Sequence, residues 1–388
     1  MSSTLTPLIR PMFQALNIVS REKAGFIPAV SRNSGVERAA LNQTVSVPIA
    51  PAVALADNTP ATTAPNTGDT VATTVDLTIS KSKHAPIRWT GEETLALKNS
   101  GSYEDYNRQR FVQAFRAIMN AIELDLGSLY TKASRAVGTA GTAPFGSAGV
   151  LTDIAGCGRI LAENGSPETD LQLVLGHSAI ANLRGVQSVL FKVNEAGTDD
   201  LLRRGVLSQL QNFDVRYSGQ VAQHTIGTAD ADYDVDLLAG YAVGDTTIHL
   251  DTGTGTHVAG DVITFAGDTN NYVIKTGAAG SSDKDIVIGA PGLRLALADG
   301  VSCDIADDAA TWTANMAFSR SAIVLGTRLP ALPEGGDNAD DRMTIQDPLS
   351  GLIFEVAVYR QYRQVHMEVA LAWGYEVIKP EHVCLLIG

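Results

Sequence analysis

The chain has 388 residues, 45% of them hydrophobic and only 18% charged, which is enough for one large domain with an insertion or for two to three ordinary ones. Its formal net charge of −13 argues against broad, sequence-independent nucleic-acid binding through a basic surface, although a local basic patch remains compatible with it. No apolar run approaches a membrane span, and the N-terminus lacks the basic start and apolar core of a signal peptide, so a soluble protein made where it folds is expected, with no membrane partner.

The three cysteines, Cys157, Cys303 and Cys384, are odd in number and far apart, with neither metal-ligand spacing nor a disulfide framework. A reducing cytoplasm suits them.

Residues 1–43 carry a short helical pattern (Leu8, Met12, Leu16, Val19) among basic residues Arg10, Arg21, Lys23, Arg32 and Arg38. This reads as an arm lying across another surface, or as a frayed terminus. Two period-2 runs follow: Val45, Val47, Ile49, and then Val71, Thr73, Val75, Leu77, Ile79. Between them lie twenty residues of Ala, Thr, Pro and Asn with almost no charge, from Pro51 to Thr70. Together they predict an extended two-stranded arm. Such a ribbon is marginal alone in water and needs a partner surface, which in a homo-oligomer is the next subunit. The cations after it, Lys81, Lys83, His84 and Arg88, are either a solvated edge or charges that dock an acidic neighbour.

The strongest helix is predicted over 102–137, with Phe111, Phe115, Ile118, Ile122, Leu126 and Leu129 on one stripe. Ser102 with Asp105 resembles a capping-box start, and Gly138 a stop. Gly127 falls inside this span, where it serves either close packing or a bend.

Residues 139–225 read as mixed α/β, with a helix near 152–164, a strand at Leu171–Leu175 and a helix capped by Ser178. From Thr225 to Trp312 short β runs alternate with turn signals such as Gly260-Asp261 and Asp299-Gly300, and Lys275, Lys284 and Arg294 are the only basic residues in this stretch. That texture predicts a small acidic β-barrel inserted at 226–311. The frame then resumes with a strand at Ile323–Leu325. A polar loop and the turn Asp347–Gly351 lead to two long alternating runs, Leu352–Val358 and Val365–Trp373. These form an antiparallel pair joined through Arg360 and Arg363 beside Tyr359 and Tyr362, residue types found at interface centres.

No motif assembles an active site. Asp230, Asp232, Asp234 and Asp236 imitate a calcium loop, but Val235 stands where Gly is required and Tyr241 where a bidentate Glu is needed. The triplet Gly176-His177-Ser178 is similar to a nucleophile elbow, but Ile180 replaces the closing Gly. The seven histidines show no zinc spacing, and the Gly-rich stretch from Gly138 lacks the Lys of a phosphate loop. The expectation is a non-enzyme with no metal and no cofactor.

The order of elements carries a resemblance. The stretch SYEDYNRQRFVQAFRAIMNAIELDLGSLY looks like a spine helix, VAGDVITFAGDTNNYVI with IGAPGLRLALADG like an inserted domain, and AFSRSAIVLGTRLPALPEGG through DPLSGLIFEVAVYRQYRQVHMEVALAWGYEVIKPE like the end of a coat protein. The chain thus resembles the major capsid proteins of tailed bacteriophages, which share the HK97-like α+β fold, and in particular the podophage-type subgroup with an inserted barrel.

The resemblance implies an N-arm (1–43), an E-loop (44–88), a peripheral domain with the spine helix (89–138 and 336–388), an axial domain (139–225 and 312–335) and the inserted barrel (226–311). It also implies assembly as pentamers and hexamers into an icosahedral shell around double-stranded DNA, in the host cytoplasm, with a scaffolding protein and a portal as partners and procapsid maturation to follow. With Met1 retained, no removed N-terminal scaffold segment is expected. Subunit-interface candidates are then Arg10, Arg21, Lys81, Lys83, His84, Arg88, Arg360 and Arg363, and Gly127 is a hinge candidate. Some family members cross-link Lys to Asn; Lys81 and Lys83 lie in a suitable region, but no acidic catalyst or Asn partner stands out. Alternatives are a tail or head-completion protein and an encapsulin-like compartment shell.

Overall fold

A computed structural model describes residues 8–23, 25–49, 55, 57, 58, 60, 73–99, 101, 103–187, 209–229, 233–280, 283–305 and 310–388. The chain opens with helix α1 (Ile9–Lys23) and strand β1 (Ser31–Ala39). The two-stranded arm β2 (Thr44–Ile49) and β3 (Thr73–Thr78) follows, then β4 (Lys81–Thr90), α2 (Gly91–Asn99) and the long helix α3 (Tyr103–Gly127). After β5 (Arg135–Gly138) come α4 (Thr152–Glu163), β6 (Leu171–Leu175), α5 (His177–Gly185), β7 (Gln209–Leu210), β8 (Phe213–Tyr217) and β9 (Gln223–Thr225). The insertion holds β10 (Tyr233–Val235), β11 (Thr247–Asp251), β12 (Val262–Phe265), β13 (Asn271–Thr276), β14 (Lys284–Ile288) and β15 (Ser302–Ile305). The chain ends with β16 (Thr311–Ser319), β17 (Ile323–Pro330), β18 (Asp341–Gln346), β19 (Ile353–Gln361), β20 (Gln364–Val377) and β21 (Val383–Ile387).

Two large sheets organise these elements. One runs β1-β17-β20-β19-β18, with β4 also paired to β20. It is built on the 14-residue β20, whose apolar residues Met367, Val369, Leu371 and Trp373 are buried. Helix α3 packs across it through Phe111, Phe115, Ile118, Met119 and Ile122, all in the main core. Each such side chain contributes on the order of 1.5–3 kcal/mol by leaving water. Phe115 meets Phe354 of β19 edge-on at 5.2 Å between ring centroids. The other sheet joins β5, β21, β16, β6 and β8 in that order, with α4 and α5 packed around a second core that includes Ile154, Ile160, Leu173 and Leu183. Strand β17 therefore belongs to the sheet of long strands, and β21 crosses to the α/β sheet. The long-strand sheet thus takes β17 from the range 312–335, and the α/β sheet takes β21 from the range 336–388.

The insertion is a closed barrel in the ring β12-β15-β10-β11-β14-β13, shut by the antiparallel pairing of β12 with β13. Alternation places Tyr233, Val235, Ile248, Leu250, Ile263, Phe265, Tyr272 and Ile286 in its own core. Among the described residues no helix is long and apolar enough to cross a membrane.

Three local expectations need correction. The long helix ends at Gly127, not near 137; a 3-10 segment, Ser128–Lys132, tightens the chain so that Leu129 stays buried. Gly138 ends β5 instead of the helix, at φ +104° and with no room for a Cβ against the Ile387 carbonyl. The residue that caps α5 is Gly176, whose N–H donates to Asn315 Oδ1 at 2.7 Å; Ser178 lies in the first turn. Ser102, Val71, Asp230 and Asp232 lie outside the described residues, while Asp234 sits on strand β10, which is not a loop.

Candidate assembly surfaces

The arm is a ribbon of six residue pairs, from Thr44–Thr78 to Ile49–Thr73, and among the described residues no further strand joins it. Its register puts Val45, Val75 and Leu77 on one face and Ser46 with Asp76 on the other, where the Ser46 hydroxyl donates to Asp76 at 2.7 Å. Only its base is covered: Leu77 and Ile79 are buried, while Val45 and Val75 stay partly open. The base fits because the long-strand sheet is thin there. A Cβ on Gly326 would come within 2.4 Å of Leu77, and one on Gly374 within 2.0 Å of the Thr78 carbonyl.

Two acids near the C-terminal end of α3 fasten both extensions to the frame. Asp125 accepts from Lys81 and from Trp373 Nε1 at 2.8 Å. Lys81 is thus engaged within its own subunit. Glu123, fully buried, accepts the backbone N–H groups of Phe26 at 2.9 Å and Ile27 at 2.8 Å, and the Ser218 hydroxyl at 2.8 Å. Burial raises its pKa, and those hydrogen bonds oppose the rise. Helix α1 lies against α3 through Met12, Leu16 and Val19, with Arg10 exposed; the side chain of Arg21 lies outside the described residues. Of the other basic residues in this region, Arg32 donates to the Ser350 carbonyl, and Arg38 pairs with Glu355 at 2.8 Å. Glu123 and Asp125 were not anticipated from the sequence. Their signal was present: two acids set among Ile122 and Leu126, on the stripe itself.

Beyond Lys81, strand β4 pairs with β20 along its whole length and leaves Lys83, His84 and Arg88 exposed. Lys83, His84 and Ala85 border a groove of about 440 Å³ against Arg110, Gln113 and Ala117 of α3. At the β19–β20 turn Tyr362 is 87% exposed, and Arg363 has φ +56° with its guanidinium 5.8 Å from the Tyr362 ring centroid. Arg360 reaches Asp340 at 3.4 Å. A cleft of about 850 Å³ separates this turn from the start of α2, with Trp89 in its lining. The turn brings Arg360 and Arg363 near Arg88, across the β4–β20 pairing; Arg10 sits apart on α1.

The barrel is mounted through a buried chain of polar groups. Tyr130 Oη and His224 Nδ1 are 2.8 Å apart, and His224 Nε2 and Asp261 Oδ1 also 2.8 Å. Asp261 further accepts from Gly227 N at 3.1 Å and Val258 N at 2.7 Å. Burial, then Asp261, raises the Tyr130 pKa. Trp312 packs on the His224 ring, so the chain works as a clamp between frame and barrel. His177, at the elbow-like triplet, faces the Tyr217 ring. Gly127 marks the passage from α3 to the 3-10 segment at an ordinary helical φ of −60°, and a Cβ there would lie 2.7 Å from the Gln220 carbonyl.

No family model and no curated protein matches the sequence. Among solved structures, a chain of Mycobacterium phage Che8 is similar over 94% of this chain and 91% of its own, with 14% identity and a TM-score of 0.48. The capsid structure of Cyanophage P-SCSP1u covers 94% and 88%, with 11% identity and a TM-score of 0.47. A virus-like particle from Pyrococcus furiosus covers 96% of each chain, with 8% identity and a TM-score of 0.41.

Proposed function

We propose that this chain is the major capsid protein of a tailed bacteriophage, with the HK97-like fold, and that it acts by assembly and not by catalysis. The observation that carries this reading is the arm: a ribbon with one apolar face, anchored at its base and left partly open at Val45 and Val75 by its own subunit. A two-stranded ribbon needs a surface to lie on, and in a homo-oligomer each subunit supplies one to the next. Helix α1, laid along α3, and the exposed tip at Tyr362 extend the same pattern to other edges of the molecule. No constellation of accessible nucleophile, base and orienting group competes with this reading among the described residues.

On this reading the arm is the E-loop, α3 is the spine helix, and the two sheets are the peripheral and axial domains, with the barrel as the inserted domain. The subunits form pentamers and hexamers of an icosahedral shell, built in the host cytoplasm with a scaffolding protein and a portal, which encloses double-stranded DNA. Arg10, Lys83, His84, Arg88, Arg360 and Arg363 are the cations exposed to contact neighbours. The net charge of −13 suits a container that must not hold its DNA to the wall. Expansion on filling needs an element with two arrangements, and the helix-to-3-10 junction at Gly127 is placed to serve.

Negative-stain electron microscopy of the chain expressed alone and with its neighbouring scaffold candidate tests the proposal. Closed or aberrant polyhedral shells are expected. Monomers or small rings under both conditions would overturn it and favour a tail component.

A further inference from the structure

One corner of the molecule carries a small excess of positive charge. The cleft between the β19–β20 turn and α2 is lined by Arg360 and Arg363 with Tyr362, against the one carboxylate of Glu92, and reaches Trp89. Trp89 is only 4% exposed, yet its Nε1–H finds no acceptor among the described residues. Such a buried donor costs about 1–3 kcal/mol until it is met. No carboxylate pairs with Arg363 among the described residues, whereas the charges of Arg110 and Arg88 act on Glu93, and Arg360 remains 63% exposed beside Asp340.

The opposite imbalance lies on the barrel. The outward residues of β10, β11 and β14, with those next to them, include Asp234, Asp236, Asp251, Asp283 and Asp285 around His249, while the ammonium of Lys284 is turned inward over the Tyr233 ring. His249 reaches Asp285 at 2.7 Å and Asp283 at 2.8 Å, so on the outward side one imidazolium faces five carboxylates. Asp234 and Asp251 stand directly opposite each other across β10 and β11. Like charges so placed destabilise a strand pair, even though Asp251 also accepts the Thr252 N–H at 2.6 Å at the end of β11.

These surfaces cannot meet within one subunit. Trp89 packs against Tyr103 and Tyr106 at the N-terminal end of α3, and the barrel is mounted on Tyr130 just past its C-terminal end. The 25 residues of α3 hold them about 37 Å apart. Opposite charges at opposite ends favour a head-to-tail contact, which closes into a ring when its rotation permits.

We propose that the cleft at the β19–β20 turn docks the acidic β10–β11–β14 face of the barrel of a second copy of this chain. The guanidinium groups of Arg360 and Arg363 receive its carboxylates. This rests on the reading of the chain as a self-assembling shell subunit and names one of its contacts.

A charge swap in the full chain tests it, read by sedimentation and electron microscopy of assembled particles. Arg360→Glu with Arg363→Glu, and separately Asp283→Lys with Asp285→Lys, are each expected to lower the assembled fraction at least about tenfold. The combined fourfold variant is expected to recover most of it. Asp251→Asn gives a second reading: it relieves the Asp234 repulsion, so the unassembled subunit melts higher while assembly weakens. Assembly at the wild-type level by any of the separate variants, or no recovery in the combined one, would overturn the contact. Those results leave the shell reading standing, whereas an unaltered chain that forms no particles sinks that reading first.

Discussion

The barrel and the arm are both β-structures held out from the frame, and they solve the problem of exposed strand edges in opposite ways. The barrel closes its ring of strands and fills it with its own core, so every strand finds both neighbours inside the subunit. The arm has two strands that no third strand joins among the described residues, and an apolar face that its own subunit buries at Leu77 and leaves partly open at Val45 and Val75. A closed barrel needs no neighbour to fold. On the proposed reading the arm's fold is completed by assembly.

The largest effect that tests this contrast lies in the barrel core. Phe265 is 1% exposed and packs against Tyr272 with ring centroids 5.8 Å apart. Phe265→Ala is expected to cost about 3–5 kcal/mol and to melt the barrel ahead of the frame, giving two transitions in calorimetry. A single transition that shifts as a whole would mean that the barrel and frame fold as one unit, and the contrast would be overdrawn.

The parts legible in the sequence were those whose signal is local. The arm strands and Leu171–Leu175 form where the sequence places them, and the stretch read as an inserted barrel holds a closed barrel, whose β10 and β15 carried no strand signal of their own. Strand β1 was not anticipated: its sequence, SRNSGVERA, is polar because it lies at the edge of its sheet, pairing only with β17. The same holds for β18, which lies between the polar loop and the turn at Asp347, carried no strand reading and is also an edge strand. Long-range partners were beyond the pattern altogether. Nothing near Lys81 in the sequence announces Asp125, and nothing near Phe26 announces Glu123, because those pairings exist only once α3 crosses the sheet. Of the candidate interface cations, exposure alone was legible; the pairing of Lys81 was not.

A smaller effect separates packing from hinging at Gly127. A Cβ added there would meet the Gln220 carbonyl at 2.7 Å, so Gly127→Ala forces a local shift expected to cost about 1–3 kcal/mol in the isolated subunit. Denaturant titration of unassembled protein measures it. An unchanged midpoint combined with particles that assemble but fail to expand would assign the glycine to movement instead of fit.

The smallest effect on stability carries the sharpest consequence for the arm. Val75 lies on the apolar face of the ribbon, partly open, beyond the base that Leu77 and Ile79 bury. Because its own subunit leaves it partly open, Val75→Asp is expected to cost the isolated subunit no more than about 1 kcal/mol, the centre of the range for single substitutions. The same charge placed against a neighbour's surface would have to be desolvated at every repeat of the contact, so assembly is expected to fail. Thermal melting of the unassembled subunit and sedimentation of the assembly reaction give the two readings side by side. A subunit destabilised well beyond that by Val75→Asp would show that the arm folds back onto its own frame, and normal particles would show that its apolar face meets no partner; either result removes the distinction between a barrel that is finished alone and an arm that is finished by its neighbour.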